Sequence, residues 1–244
     1  MRAFPFASRN LKELIRDPMM IIFAIGFPVV LLLMLSAIHS HAPVNLFAIS
    51  KLSPGIAVFG LSFISLFSGM LIAKDRCSSF LMRLFASPLS ASDYILGYIL
   101  PLLPIAIIQS VVCFVLSFFL GLSVTANVLA ALLVLIPTSV LFIGTGLLMG
   151  TLVNDKAVGG IASIIINLSG WLSGTWFNLN LVGGTFKAIS DVLPFANAVN
   201  AARAAISGDY AAILPSLLWV IGYAVAVLVI SVVLFRRKMM NATT

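Results

Sequence analysis

The sequence predicts an all-α integral membrane protein with six transmembrane helices, an N-terminal amphipathic interface helix and short outer re-entrant helices before the last span. Three observations carry this prediction. First, no Asp, Glu, Lys or Arg occurs from Tyr94 through Asn154. A helix needs about 20 apolar residues to cross the hydrocarbon core, so this stretch is long enough to cross twice, turning at Gly121–Asn127. Second, the chain is 61% hydrophobic and 9% charged, against roughly 25% charged in globular domains. A soluble domain with such a charge-free run would lack a charged surface. Third, the net charge of +7 is gathered in short basic clusters flanking apolar runs. That is the pattern of orientation signals and not of a nucleic-acid surface.

The first element is Phe4–Asp17. Phe4, Ala7, Leu11, Leu14 and Ile15 follow the helical 3–4 spacing, with Arg9, Lys12, Glu13 and Arg16 on the opposite side. This predicts a basic amphipathic helix lying on the cytoplasmic membrane surface within residues 1–18. It serves either as a passive anchor or as a docking surface, and periodicity does not choose between them. Pro18 disfavours a straight continuation into the first span. The apolar run Met19–Ile38 exceeds the 7–15 residues of a signal-peptide core. Cleavage after Ala42 would place Pro43 next, so a retained anchor is expected.

Spans are predicted at about 19–38, 53–73, 95–120, 128–152, 157–176 and 212–235. This arrangement puts Arg2, Arg9, Lys12, Arg16, Lys74, Arg76, Arg83, Lys156, Arg236, Arg237 and Lys238 on one side, eleven of the 14 basic residues. Lys51, Lys187 and Arg203 remain on the other. The positive-inside rule then makes both termini cytoplasmic. Pro28, Pro54, Pro101, Pro104 and Pro137 lie inside spans, where neighbouring helices must satisfy the freed backbone groups. Gly146 and Gly150 form a Gly-x-x-x-Gly pair that lets helices approach closely. Packing within one bundle is expected ahead of a dimer contact.

Between spans two and three lies the longest inside loop, 74–93. Phe80, Leu81, Leu84 and Phe85 form one apolar face of a short helix, ended by Pro88. A new helix should start near Ser90 or Ser92. An aromatic face on the cytoplasmic side is a candidate protein contact; otherwise it lies on the lipid interface. Segment 177–210 is punctuated by Gly183-Gly184, Pro194 and Gly208. Lys187 and Asp191 are spaced for an i,i+4 pair, and Asn197–Ile206 reads as a short helix carrying Arg203.

Several chemistries lack their residues. No Gly is followed by Lys, so there is no phosphate loop of the Gly-x-x-x-x-Gly-Lys-Ser/Thr kind. His39 and His41 have no cysteine or carboxylate beside them to complete a metal set. Cys77 and Cys113 read as free thiols. The sequon at Asn241 falls on the cytoplasmic side. The spans hold no charge for ion coupling. They offer only Gln109, Asn167, hydroxyl residues and aromatics such as Phe114, Phe118, Phe119, Trp171 and Trp176. The chain is therefore not expected to be an enzyme, and the energy for any transport must come from elsewhere.

The order of elements resembles the membrane subunits of type-2 ABC exporters over most of the chain. The most specific likeness is Lys74–Ser90, where Asp75-Arg76, Ser78-Ser79, Leu84 and Ser87–Ser90 take the places of the family's acidic-basic pair, small pair, apolar helix and Ser/Thr-Pro-Leu-Ser/Thr end. Leu193-Pro194 and the helix through Arg203 resemble the segment before the last span. The chain departs from the family at Ser78, usually glycine, and at Phe80–Arg83, which lacks the acidic residue often found there.

The resemblance implies a single transmembrane domain over 1–244, a permease subunit paired with a second copy or a related permease. Two cytoplasmic ABC ATPase subunits would carry the ATP and magnesium, leaving this chain without a cofactor. They would dock on Asp75, Arg76, Phe80, Leu81, Arg83, Leu84 and Phe85 and on the helix bearing Arg9, Lys12, Glu13 and Arg16, with 177–210 as an outer gate. The implied cargo is an amphipathic small molecule, lipid or peptide leaving the cytoplasm of a bacterium across the inner membrane. The alternatives are a polysaccharide or glycolipid exporter and a non-transporting scaffold or sensor. The expected result of Leu84→Asp, or of charge reversal at Arg83, is loss of transport with normal membrane insertion. Normal transport by a well-expressed Leu84→Asp chain would remove the loop's coupling role.

Overall fold

The computed structural model describes residues 3–41, 47–77 and 90–242, and these are mostly helical, with no strand among them. Helix α1 is Ala3–Ile15, and α2 is the continuous helical span Pro18–His41 with a π turn at Ile22–Gly26. Then follow α3 (Ile49–Cys77), α4 (Ala91–Phe119), α5 (Asn127–Leu152), α6 (Asp155–Leu172), α7 (Leu179–Val182), α8 (Gly184–Val192), α9 (Pro194–Ser207) and α10 (Tyr210–Ala242).

Local chemistry sets the boundaries. Asp17 is extended, at φ −89° and ψ 104°, as its place before Pro18 demands. Its carboxylate accepts from Met19 N and Met20 N, capping α2. Ser90 caps α4 through a reciprocal box with Asp93. Gly121 turns the chain after α4 at φ +100°, and Gly208 closes α9 in the left-handed region at φ +78°. Pro194 opens α9 at its first turn.

Helix α3 is the central post. Nearly all of its membrane-length window is buried, and α2, α4, α5, α6 and α9 pack around it. A helix enclosed on every side must be thin. Ser62, Ser65 and Ser68 donate back to Phe59 O, Ser62 O and Ser65 O, which satisfies their hydroxyls within the helix. Ser68 also donates to Ile143 O of α5 at 3.0 Å. Where α3 meets α5, a Cβ on Gly146 would lie 2.0 Å from Ser65 O, and one on Gly150 would lie 2.2 Å from Gly69 O. The Gly-x-x-x-Gly pair is thus spent inside one chain. Glycine keeps the backbones close enough for dispersion and weak backbone contacts to hold the pair.

Among the described residues five helical spans are long and apolar enough to cross a membrane: Pro18–His41, Ile49–Cys77, Ala91–Phe119, Asn127–Leu152 and Tyr210–Arg237. The expected fifth span, 157–176, is shorter than foreseen. Its helix α6 has 18 residues, opens on Asp155-Lys156 and ends at Leu172, where Gly174 turns the chain at φ +71°. At 1.5 Å per residue it covers about 27 Å. It runs antiparallel along α3, with Val158 beside Gly69 and Gly170 beside Phe59.

Segment 177–210 folds as α7, α8 and α9. Lys187 and Asp191 form the anticipated pair. The alanine-rich face of α9 is buried against α10, α5 and α3. Trp219 Nε1 and Tyr223 OH of α10 both donate to Val192 O, at 2.8 and 3.0 Å, fastening the end of α8.

Gly146→Ala and Gly150→Ala should each destabilise the chain by about 1–3 kcal/mol through overpacking, read as a lower unfolding midpoint in detergent. Gly160→Ala, whose added Cβ meets nothing within 4 Å, should be neutral or slightly stabilising.

Candidate functional site

The cytoplasmic-loop residues predicted for coupling divide into two groups. Phe80, Leu81, Arg83, Leu84 and Phe85 lie outside the described residues. Asp75 and Arg76 are the last charged residues of α3, and they turn to different neighbours.

Asp75 faces α1 and α4. Its carboxylate is 2% exposed, so it needs partners, because a buried carboxylate is costly unless paired and hydrogen-bonded. Arg9 Nη1 donates to both oxygens, at 2.9 and 2.8 Å. Tyr98 OH donates to Oδ2 at 2.9 Å. Arg9 also donates to Asn10 Oδ1 and pairs through Nη2 with Glu13 Oε2, both at 2.8 Å. Glu13 Oε1 in turn meets Lys74 Nζ at 2.6 Å. Burial alone would push the Arg9 guanidinium down. The hydrogen bond and charge of Asp75, backed by Glu13, outweigh it and hold Arg9 above its ordinary value.

This network revises the expected faces of α1. Lys12 and Arg16 are exposed, as on an outer polar face, but Arg9 and Glu13 are drawn towards α3. Phe4 and Ile15 of the apolar face are exposed, whereas Ala7 and Leu14 of that face are buried, together with Phe6 and Asn10. Phe6 stands edge-on to Tyr98 and Tyr94, with ring centroids 5.0 and 5.9 Å away. It fills the notch left by Gly97, where a Cβ would come within 2.3 Å of its ring. Asn10 Nδ2 donates to Gly97 O at 3.1 Å. Tyr98, Gly97, Asn10 and Phe6 escaped the sequence reading. The available signal was Tyr94 and Tyr98, polar-tipped aromatics at i,i+4 spacing near the head of an apolar span.

Arg76 faces the other way. Its Nη1 donates to Gly150 O and Thr151 O at 2.6 Å and to Val153 O at 3.2 Å. These carbonyls lie at the C-terminus of α5, where backbone acceptors lack helical partners and the helix dipole favours a cation. The 78–89 segment therefore leaves from a point bound to α1, α4 and α5. It returns at the capped Ser90, one turn before Tyr94 and two before Tyr98.

A groove of about 970 Å3 opens beside this network. Its rim carries Arg9, Lys12, Glu13, Arg16 and Lys74, and Phe67 and Leu71 of α3 line its apolar side. Of the aromatics considered for a transport path, Phe114 is buried, whereas Phe119 and Trp171 are exposed.

A family model described as ABC-2 type transporter matches residues 6–207. The chain belongs to the ABC-2 type transporter family. It is thus a permease subunit of an ABC transporter, a multi-pass membrane protein of a family that works with ATPase subunits. The matched region of this ABC-2 chain takes in α1 from Phe6 onwards, the 78–89 segment and all of α9. No curated protein matches the chain.

Because Arg9, Asp75 and Tyr98 act as one unit, their substitutions should not add. Arg9→Gln and Asp75→Asn should each lower the unfolding midpoint, and the double variant should fall short of their sum by about 0.5–3 kcal/mol. Tyr98→Phe should cost about 1.5–3 kcal/mol, the worth of a hydrogen bond to a charged group. Strict additivity in chemical unfolding would mean that Arg9 and Asp75 are independent.

Proposed function

We propose that this chain is the membrane-spanning half-unit of an ATP-driven exporter of an amphipathic small molecule, lipid or peptide. Two such chains pair, and two separate cytoplasmic ATPase subunits supply ATP and magnesium. The chain crosses the bacterial inner membrane six times, α6 included, with both termini cytoplasmic and 177–210 as the outer gate.

The reading is carried by the way Asp75 and Arg76, just before residues 78–89, are bonded to α1, α4 and α5, with the capped start of α4 just after them. A push from an ATPase on that segment meets Asp75 and Arg76 first. Through Arg9, Tyr98 and the α5 carbonyls, it reaches α1, α4 and α5 together with α3. Soft attachment would absorb such a push. Charge-assisted hydrogen bonds are short and strong and pass it on.

A second feature supports an amphipathic cargo. The exposed surface of α6 sets Ser163 and Asn167 beside Ile164, Leu168 and Trp171. The exposed side of α2 is by contrast almost wholly apolar, with Ile22, Val30, Leu33 and Met34. A mixed face turned towards a second copy would suit a cargo with one polar end.

Purification in mild detergent with the cell's own ATPase subunits, read by native mass, tests the reading. Two copies of this chain with two ATPase chains are expected. A complex with one copy and a different permease would make the pair heterologous. Loss of all ATPase, where a control exporter retains its own, would favour a scaffold or sensor. Lys12→Glu with Arg16→Glu should sharply reduce ATPase retention while leaving the unfolding midpoint unchanged. Neither residue has an ion-pair partner among the described residues, so a purely structural role for α1 would not produce that split.

A further inference from the structure

Lys51, Lys187 and Arg203 are the basic residues that stand apart from the clusters at the Asp75 end. They come from the first turn of α3, from α8 and from α9, and they converge on one pocket of about 580 Å3. Twenty-four residues of α3 separate Lys51 from Asp75, about 36 Å of helix, so this pocket and the Arg9–Asp75 network occupy opposite ends of the bundle. Charges scattered by chance on a charge-poor face would not meet.

The walls carry more positive charge than they neutralise. Among the described residues Asp191 is the carboxylate lining the pocket, and it is paired with Lys187. Arg203 is half-buried, and desolvation without an acidic partner pushes its guanidinium below its ordinary value. Arg203 Nε donates to Lys51 O at 3.0 Å, and Nη2 donates to Gly174 O at 3.1 Å. These two bonds account for a strut between α3 and the turn after α6. They do not account for the remaining donors of a five-donor group, nor for the charge of Lys51, which also lines the pocket. Asn200 and Asn178 add amide groups to the lining, and Phe177 and Leu179 add apolar surface.

A pocket of this volume falls within the range of small-molecule sites, about 300–1,000 Å3. It is far larger than a lone ion requires. A pocket lined by a planar guanidinium, two lysines and side-chain amides matches the many oxygens of a phosphate. The apolar wall matches an organic body attached to it.

We propose that this pocket binds a phosphate group carried on an organic body, presented either as an anionic phospholipid headgroup or as a soluble phosphate ester. The site stands apart from the exporter reading, since it asks nothing of ATPase docking, and its failure would leave that reading intact.

The test uses the full chain in lipid nanodiscs, with the shift of its unfolding midpoint as readout. One arm titrates phosphatidylglycerol into phosphatidylcholine discs; the other titrates glycerol 3-phosphate into discs of phosphatidylcholine alone. A saturable rise in midpoint is expected in at least one arm, and the responding arm identifies the source. Lys51→Gln should raise the half-saturating concentration about tenfold, the loss of one charge-assisted contact. Lys156→Gln, exposed at the other end of the bundle, should leave it unchanged. Arg203→Gln should weaken binding further; because it also loses the strut, Lys51→Gln decides the matter if that variant does not fold. Absence of a response in both arms for the unsubstituted chain overturns the proposal. So does an unchanged half-saturation in Lys51→Gln.

Discussion

A carboxylate taken out of water at the end of a central helix must be answered, and the answer organises this molecule. Among the described residues Asp75 is met by Arg9 from the N-terminal helix and by Tyr98 from the third membrane-length helix. With Asp75 paired, α1 lies in register along α4. Phe6 then seats in the gap at Gly97 and Asn10 meets Gly97 O. Replacing the whole cluster with well-packed apolar residues could preserve stability, since buried ion pairs often contribute little net free energy. It would not preserve the specific geometry in which three helices meet at one point.

The opposite requirement governs the middle of the bundle. Helix α3 has no outer face on which to spend bulk, and it accommodates five neighbours by using serine and glycine where α5 crosses it. Serine is workable there because its hydroxyl bonds to its own helix, leaving no polar group stranded. Gln109 is the less comfortable case. Its Nε2 reaches Ala57 O and Cys113 Sγ only at 3.4 Å, and its Oε1 is buried without a hydrogen-bond partner among the described residues. Ser53 Oγ in α3 and Ser190 Oγ in α8 are likewise buried without a hydrogen-bond partner among the described residues.

What could be read from the sequence was what short-range chemistry decides. The break at Asp17-Pro18, the start of α4 at Ser90 and the Lys187–Asp191 pair each depend on residues within one helical turn, and each was legible. Span placement was legible wherever charge was excluded. It weakened at α6, where Asp155, Lys156 and Asn167 dilute the apolar run and Gly174 ends the helix early. The sites were less legible because their members are distant in sequence. Arg9 and Asp75 are 66 residues apart, and Arg203 reaches a carbonyl 152 residues away. Periodicity placed Arg9 on the solvent side of α1, because it counts the helix's own residues and cannot see a buried anion approaching from another helix.

The separation between Arg9 and Asp75 also has a meaning in time. During synthesis Arg9 emerges well before its counter-charge exists, and Tyr98 follows later still. The N-terminal helix must therefore wait, unfastened, while the first two spans enter the bilayer. It can lock only once the head of the third has been made. The same bonds that hold the finished bundle rigid at this end thus make its first-made helix the last of these four to settle.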